Sequence, residues 1–276
     1  MNRTLLQIKM LYNSMGKSEK KIADWILEHP SDILPLSITE LAEQSKSSEA
    51  TIVRFAKRVG FSGYQELKIS LAQENGKKIA NETITEKDSC FDILDKISND
   101  IYISLEKTKK VISSTALECC ANAITDAEKI VIFGLGNSAS VALDASHKFL
   151  RAGCNSFAYS DNHMQAIAAS HLTRNDVVLG ISHSGSSKDI VEALKIAKQN
   201  GATTICITNK GKSPITKVSD IILYTDADET RYNILALNSR IAQLTIIDAI
   251  YYHLICHKKP IEAIENTERA LLPKKY

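Results

Sequence analysis

From Lys129 onward, short β-branched runs alternate with stretches of helical length, and few folds satisfy that rhythm. The runs are KIVIFG (129–134), NSFAY (155–159), DVVLGI (176–181), TTICIT (203–208) and DIILYT (220–225). Near-continuous apolar strands separated by helices predict a parallel five-stranded sheet sandwiched by helices, an α/β domain. A long apolar helix follows from about Leu235 to His257, and a charged, partly helical tail occupies 258–276.

The chain has 276 residues, enough for a second domain before that sheet. Residues 1 to about 78 offer no strand. Apolar residues recur there at helical spacing: Ile22, Trp25 and Ile26, then Leu41 and Ala42, then Ile52, Val53, Phe55, Ala56 and Val59. Pro30 and Pro35 bracket a loop between the first two groups. The polar stretch 74–90 reads as a linker. Beyond it, Phe91 to Val111 carries Ile93, Leu94, Ile97, Ile101 and Leu105 on one helical stripe.

A net charge of +2 announces no nucleic-acid binder, but the average hides a split. The first 80 residues hold 12 Lys/Arg against 9 Asp/Glu, while the remainder holds 22 against 23. Much of the excess lies in residues 54–78, in Arg54, Lys57, Arg58, Lys68, Lys77 and Lys78.

In that region, SITELAEQSKSSEATIVRFAKRVGFSGYQELK (37–68) reads as a helix-turn-helix. Thr39 and Glu40 open a short helix, Ser45 to Ser48 make a turn, and Ser48 N-caps a second helix with a basic polar face. Such a helix enters the major groove through its N-terminal residues. Ser48, Glu49, Thr51 and Arg54 are placed to reach base edges; Lys57, Arg58, Tyr64 and Lys68 are placed to grip phosphates. The plainer alternative is a surface helix with solvated charges.

In the second domain, KIVIFGLGNSAS gives strand, Gly-x-Gly-x-Ser loop and helix start. Gly134 and Gly136 allow a tight turn, and Ser138 falls at a helix N-terminus that favours an anion. A dinucleotide fingerprint would place a third glycine where Ala139 stands, although Asp161 after the next strand could serve a ribose. The third strand leads into a second such loop, where Ser182, Ser184, Ser186 and Ser187 surround Gly185. Hydroxyls and backbone N–H groups there form a nest suited to a phosphate monoester. Ordinary helix capping accounts for one or two of these serines, not for the whole run.

ISHSGSSKDIVEALKIAKQNGATTICIT resembles the core of a sugar isomerase (SIS) domain. Preceded by the helix-turn-helix and GYQELKISLA (63–72), the chain resembles the RpiR family of bacterial transcriptional regulators. The resemblance implies a phosphate held by Ser182, Ser184 and Ser187, with Asn137 and Ser138 near the sugar. It also implies that 239–248 lines a subunit contact and closes part of the pocket. The domains expected are a DNA-binding domain at 1–77, a linker and connector helix at 78–115, the SIS domain at 116–257 and a tail.

The expected function is a regulator of carbohydrate metabolism that binds operator DNA and senses a phosphorylated sugar. An SIS isomerase or etherase is the alternative, with His163, His171, His183 and Glu229 as the acid–base candidates. No catalytic residue, cofactor or metal is expected. Arg231 or Lys148 could meet a second negative group on the sugar. A homodimer or homotetramer is expected, with Ile241, Leu244, Ile247 and Ile250 or the 91–111 stripe as subunit surfaces; core packing competes for both. No signal peptide or membrane span is legible. Six cysteines lack any C-x-x-C pair and read as buried, reduced thiols of a cytoplasmic protein.

Overall fold

The computed structural model describes residues 3–30, 32–33, 35–74, 84–227, 237–258 and 261–274. Lys77, Lys78, Glu229 and Arg231 lie outside the described residues. The chain divides into two compact units, the first built mainly from residues up to Asp100 and the second mainly from Ile101 onward.

The first unit is helical: α1 (Arg3–Leu11), α2 (Lys17–Glu28), α3 (Ile38–Gln44), α4 (Glu49–Arg58) and α5 (Tyr64–Glu74). Each of these helices is too short to be stable alone, so a shared core must hold them. Ile8, Ile22, Ile26, Ile33, Leu41, Ile52, Phe55, Val59, Leu67 and Leu71 form that core, all fully buried. The helix start expected at Thr39 and Glu40 begins earlier, with a capping box. The Ser37 hydroxyl accepts from the Glu40 N–H at 3.2 Å, and the Glu40 carboxylate accepts from the Ser37 N–H at 2.8 Å.

A long helix, α6 (Cys90–Val111), follows, then α7 (Ser114–Asp126). The second unit then alternates as its sequence requires: β1 (Lys129–Gly134), α8 (Asn137–Arg151), β2 (Ser156–Tyr159), α9 (Asn162–Ser170), β3 (Asp176–Ile181), α10 (Lys188–Gln199), β4 (Thr203–Asn209) and β5 (Ile221–Thr225). The long apolar helix is α11 (Leu237–Lys258), and the tail forms α12 (Ile261–Leu271). All strand pairs are parallel, in the order β2-β1-β3-β4-β5.

Alternation along each strand builds two core layers. Ile130, Ile132, Val177, Leu179, Ile181, Ile205 and Ile207 pack with α7, α8 and α11 on one face. Val131, Phe133, Val178 and Cys206 pack with α9 and α10 on the other.

Three sequence expectations change here. Ile247 and Ile250 of α11 are buried in the sheet's core, with Leu244 packed against it, so core packing takes most of the face offered as a subunit surface. On α6 only Leu94 of the expected stripe is exposed, Ile93, Ile97, Ile101 and Leu105 being half-buried; Phe91 and Tyr102, outside that stripe, are exposed beside it. Only Cys120, Cys154 and Cys206 are buried; Cys90, Cys119 and Cys256 sit on solvent-facing sides of helices. Lys148 is ion-paired with Asp144 at 2.6 Å and with Asp248 of α11, so it already has two carboxylate partners.

Candidate functional site

The helix-turn-helix is α3, a four-residue turn and α4. Thr39 of α3 donates its hydroxyl to the Glu49 carboxylate at 2.6 Å, locking one helix to the start of the other. Within the turn, Ser45 Oγ donates to the Leu41 carbonyl at 2.7 Å, and Lys46 adopts φ 48°. Ser48 caps α4, accepting from the Thr51 N–H at 3.2 Å. A short polar chain continues along the helix. Ser48 Oγ lies 2.8 Å from Thr51 Oγ1, which accepts from Arg54 Nη2 at 3.3 Å.

Ser48, Ala50, Arg54, Lys57 and Arg58 are exposed, and Glu49 is half-buried. Thr51 and Tyr64 lie elsewhere, each 6% exposed. Thr51 shares the inward face of α4 with Ile52, Phe55 and Ala56, because residues three and four apart stack on one side of a helix. The Tyr64 hydroxyl donates to the Leu36 carbonyl at 3.0 Å, and burial pushes its phenol far above the usual range. Lys68 Nζ donates to the same carbonyl at 2.8 Å. Arg58 reaches back to Glu19 at 2.9 Å and to the Ser14 carbonyl at 2.5 Å. The exposed face therefore gathers Ser48, Arg54, Lys57 and Arg58, together with Ala50, a position the sequence reading passed over.

In the second unit, the strand order reverses between β1 and β3, which pair in parallel with Gly134 opposite Ile181. Ligands of open parallel sheets bind outside the carboxyl ends of the strands at such a reversal. The two loops in question leave these two neighbouring strands side by side. A Cβ on Gly134 would stand 2.4 Å from the Ser138 carbonyl oxygen, so only glycine lets the helix start this close to the strand. Gly136 follows at φ +55°, the left-handed region, and caps α8 without any side chain. Asn137 is exposed and Ser138 half-buried in the first turn of α8.

The serine loop is cross-braced. Ser182 N–H donates to the Ile207 carbonyl at 3.1 Å, Gly185 N–H to the Ser182 carbonyl at 3.1 Å, and Ile215 N–H to the Gly185 carbonyl at 2.9 Å. Ser182 is buried, and its Oγ lies 3.3 Å from Ser187 Oγ. Ser186 N–H donates to Ser184 Oγ at 3.3 Å. Ser187 occupies the N-cap position of α10, yet its hydroxyl caps no helix N–H. Capping therefore does not explain it, and the first-turn N–H groups of α10 keep their capacity for an anion.

Gln165, fully buried on α9, was not singled out in the sequence. Its carboxamide donates to the Tyr159 carbonyl at 2.9 Å and the Gly134 carbonyl at 3.3 Å, tying the ends of β2 and β1 together. A lone glutamine in a short helix carries no pattern that would have marked it. Of the acid–base candidates, His163 and His171 are exposed and His183 is half-buried in the serine loop; Glu229 lies outside the described residues. Among the described residues, no group of three or more His, Cys, Asp or Glu could hold a metal ion.

Two family models match the chain: the helix-turn-helix domain of the rpiR family over residues 2–78 and the SIS domain over residues 123–252. An uncharacterised HTH-type transcriptional regulator of Caldanaerobacter subterraneus is 39% identical over 280 residues, covering 100% of this chain and 99% of the relative. The chain belongs to the RpiR family of helix-turn-helix transcriptional regulators.

Another relative, the HTH-type transcriptional regulator HexR of Pseudomonas aeruginosa, is 34% identical over 252 residues, covering 91% of this chain and 88% of its own. Among solved structures, the NanR protein of Vibrio vulnificus complexed with ManNAc-6P superposes with a TM-score of 0.83 at 25% identity. That match covers 99% of this chain and 100% of NanR. As an RpiR-family regulator, the chain thus joins a helix-turn-helix to an SIS domain. No helix among the described residues is long and apolar enough to cross a membrane.

Proposed function

We propose that this RpiR-family regulator binds operator DNA through α4 and senses a phosphorylated sugar in the crevice between the ends of β1 and β3. One observation carries the sensor reading: two anion-ready helix starts leave adjacent strands at the point where the sheet order reverses, and neither helix is capped by its own N-cap side chain. In this reading Ser182, Ser184 and Ser187 hold the phosphate, and Asn137 and Ser138 meet the sugar. NanR, complexed with ManNAc-6P in its solved structure, supports the ligand class.

On the DNA side, Ser48, Glu49 and Arg54 serve base reading with Thr51 behind them, and Lys57, Arg58 and Lys68 serve backbone contact with Tyr64 behind them. The burial of Thr51 and Tyr64 favours indirect roles for these two: Thr51 steadies Arg54, and Tyr64 steadies the loop at Leu36. The protein acts as a cytoplasmic sensor rather than an enzyme, a reading supported by relatives that are named transcriptional regulators. It assembles as a homodimer or homotetramer, with the open face of α6 as the favoured subunit surface. The proposed domains are 1–77, 78–115, 116–257 and the tail 258–276, and ligand binding is relayed to DNA through the 78–115 connector.

A thermal-shift screen of sugar monophosphates tests the sensor. At least one should raise the melting temperature of the wild type and leave Ser184→Ala unmoved, while Ser184→Ala still binds operator. A variant that responds like the wild type would refute the pocket. Steady turnover of any such sugar by the pure protein would refute the non-enzymatic reading.

A further inference from the structure

We infer that Ala50 reads the 5-methyl group of a thymine, in the same half-site and within about three base pairs of a guanine read by Arg54. The inference rests on the DNA-binding reading above and deepens it. From the N-cap Ser48 to Thr51 at the start of α4, three of the four side chains have structural duties. Ser48 caps the helix, Glu49 accepts the Thr39 hydroxyl, and Thr51 is buried beneath Arg54. Ala50 alone is exposed with no such task.

A methyl side chain offers neither donor nor acceptor. In the major groove it can make only apolar contact, and the thymine 5-methyl is the apolar feature a base edge presents there. Arg54 lies four residues on, on the same face, about 6 Å further along the axis. Base pairs rise about 3.4 Å, so the two side chains address positions about two steps apart. Arg54 gives one N–H to Thr51 at 3.3 Å, and its planar fork suits the O6 and N7 acceptors of guanine.

The test starts from operator sequence selected by the full-length protein from random DNA. Each thymine of the half-site is replaced singly by deoxyuridine, which lacks only the 5-methyl. For the wild type, one thymine within about three base pairs of an invariant guanine should show about a fourfold loss of affinity, the effect of returning one methyl to water. Ala50→Gly should bind thymine and deoxyuridine forms equally, Ala50→Ser should show a smaller difference than the wild type because its hydroxyl brings water to the contact, and Arg54→Ala should lose the guanine preference while keeping the thymine effect. The serine variant covers the case in which glycine unfolds the helix start, and thermal melts report folding of both.

No thymine effect in the wild type, or one that survives undiminished in folded Ala50 variants, would overturn the inference while leaving DNA binding intact. Equal binding of all DNA sequences would overturn both the inference and the operator reading.

Discussion

Lys46 is the non-glycine residue with positive φ among the described residues, set in the turn between the two helices of the helix-turn-helix. A left-handed conformation costs an L-residue about 1–2 kcal/mol, part of which glycine returns as lost chain entropy. Lys46→Gly should therefore stabilise the first unit by up to about 1 kcal/mol, read as a higher midpoint in denaturant. A lower midpoint would mean that the lysine side chain supplies something the turn needs. The two arginine and lysine roles on α4 and α5 separate in the same manner. Arg54→Ala should cost roughly 1–3 kcal/mol on operator and little on random DNA, whereas Lys68→Ala should weaken both alike. Equal losses from Arg54→Ala on the two DNAs would remove it from base reading.

At the scale of elements, the strand–loop–helix units decide whether the crevice exists. Gly134→Ala must push the start of α8 off the end of β1, because the obstructing atoms are backbone. We expect a loss of roughly 1–3 kcal/mol and a weakened sugar-phosphate response, measured by unfolding and by thermal shift together. The β4–β5 connection is locked by Asp220, which accepts from Thr204 N–H at 3.0 Å and pairs with Lys198 at 2.6 Å. Burial alone would raise its carboxyl, but the bonds from Lys198 and Thr204 outweigh it and hold the group below the usual carboxylate range. A depressed folded value means stability present above the unfolded pKa and lost as pH falls through the folded one. Unfolding measured against pH should show Asp220→Asn weaker than wild type near neutrality and converging on it below about pH 4. Parallel curves would deny the lock.

Much of this level was legible. Five β-branched runs fixed the strands to within a residue or so, because a strand buried on both faces has little freedom in composition. Ser48 was readable as a cap, and the serine run as more than capping. Thr51 and Ala50 were not separable by residue type, since their burial depends on how α3 and α5 pack against α4. Gln165 was invisible for the same reason: its bonds join β1 to β2, which only the folded sheet brings together. For Lys148, the i,i+4 partner Asp144 was legible in the sequence, whereas the second partner, Asp248, is remote and joins it only in the fold.

For the whole molecule, the thiols give a direct check on the packing. Burial pushes the Cys206 thiol up to about 12 and raises Cys120 as well, so both are inert, and Cys154 is covered. A thiol reagent should titrate three cysteines in the native protein and six after unfolding; six in the native state would contradict the fold. Under the proposed relay, the crevice and α4 share one equilibrium. Binding energies coupled between two sites are reciprocal, and a coupling of about 1–3 kcal/mol shifts each affinity about 5–150-fold. The measurement that bears on this most directly is operator affinity, by fluorescence anisotropy, across a titration of the sugar phosphate found in the thermal-shift screen. We expect a shift of at least about fivefold at saturation, an equal shift in sugar-phosphate affinity when DNA is the titrant, and neither shift in Ser184→Ala. An operator affinity unchanged under saturating sugar phosphate would contradict the relay.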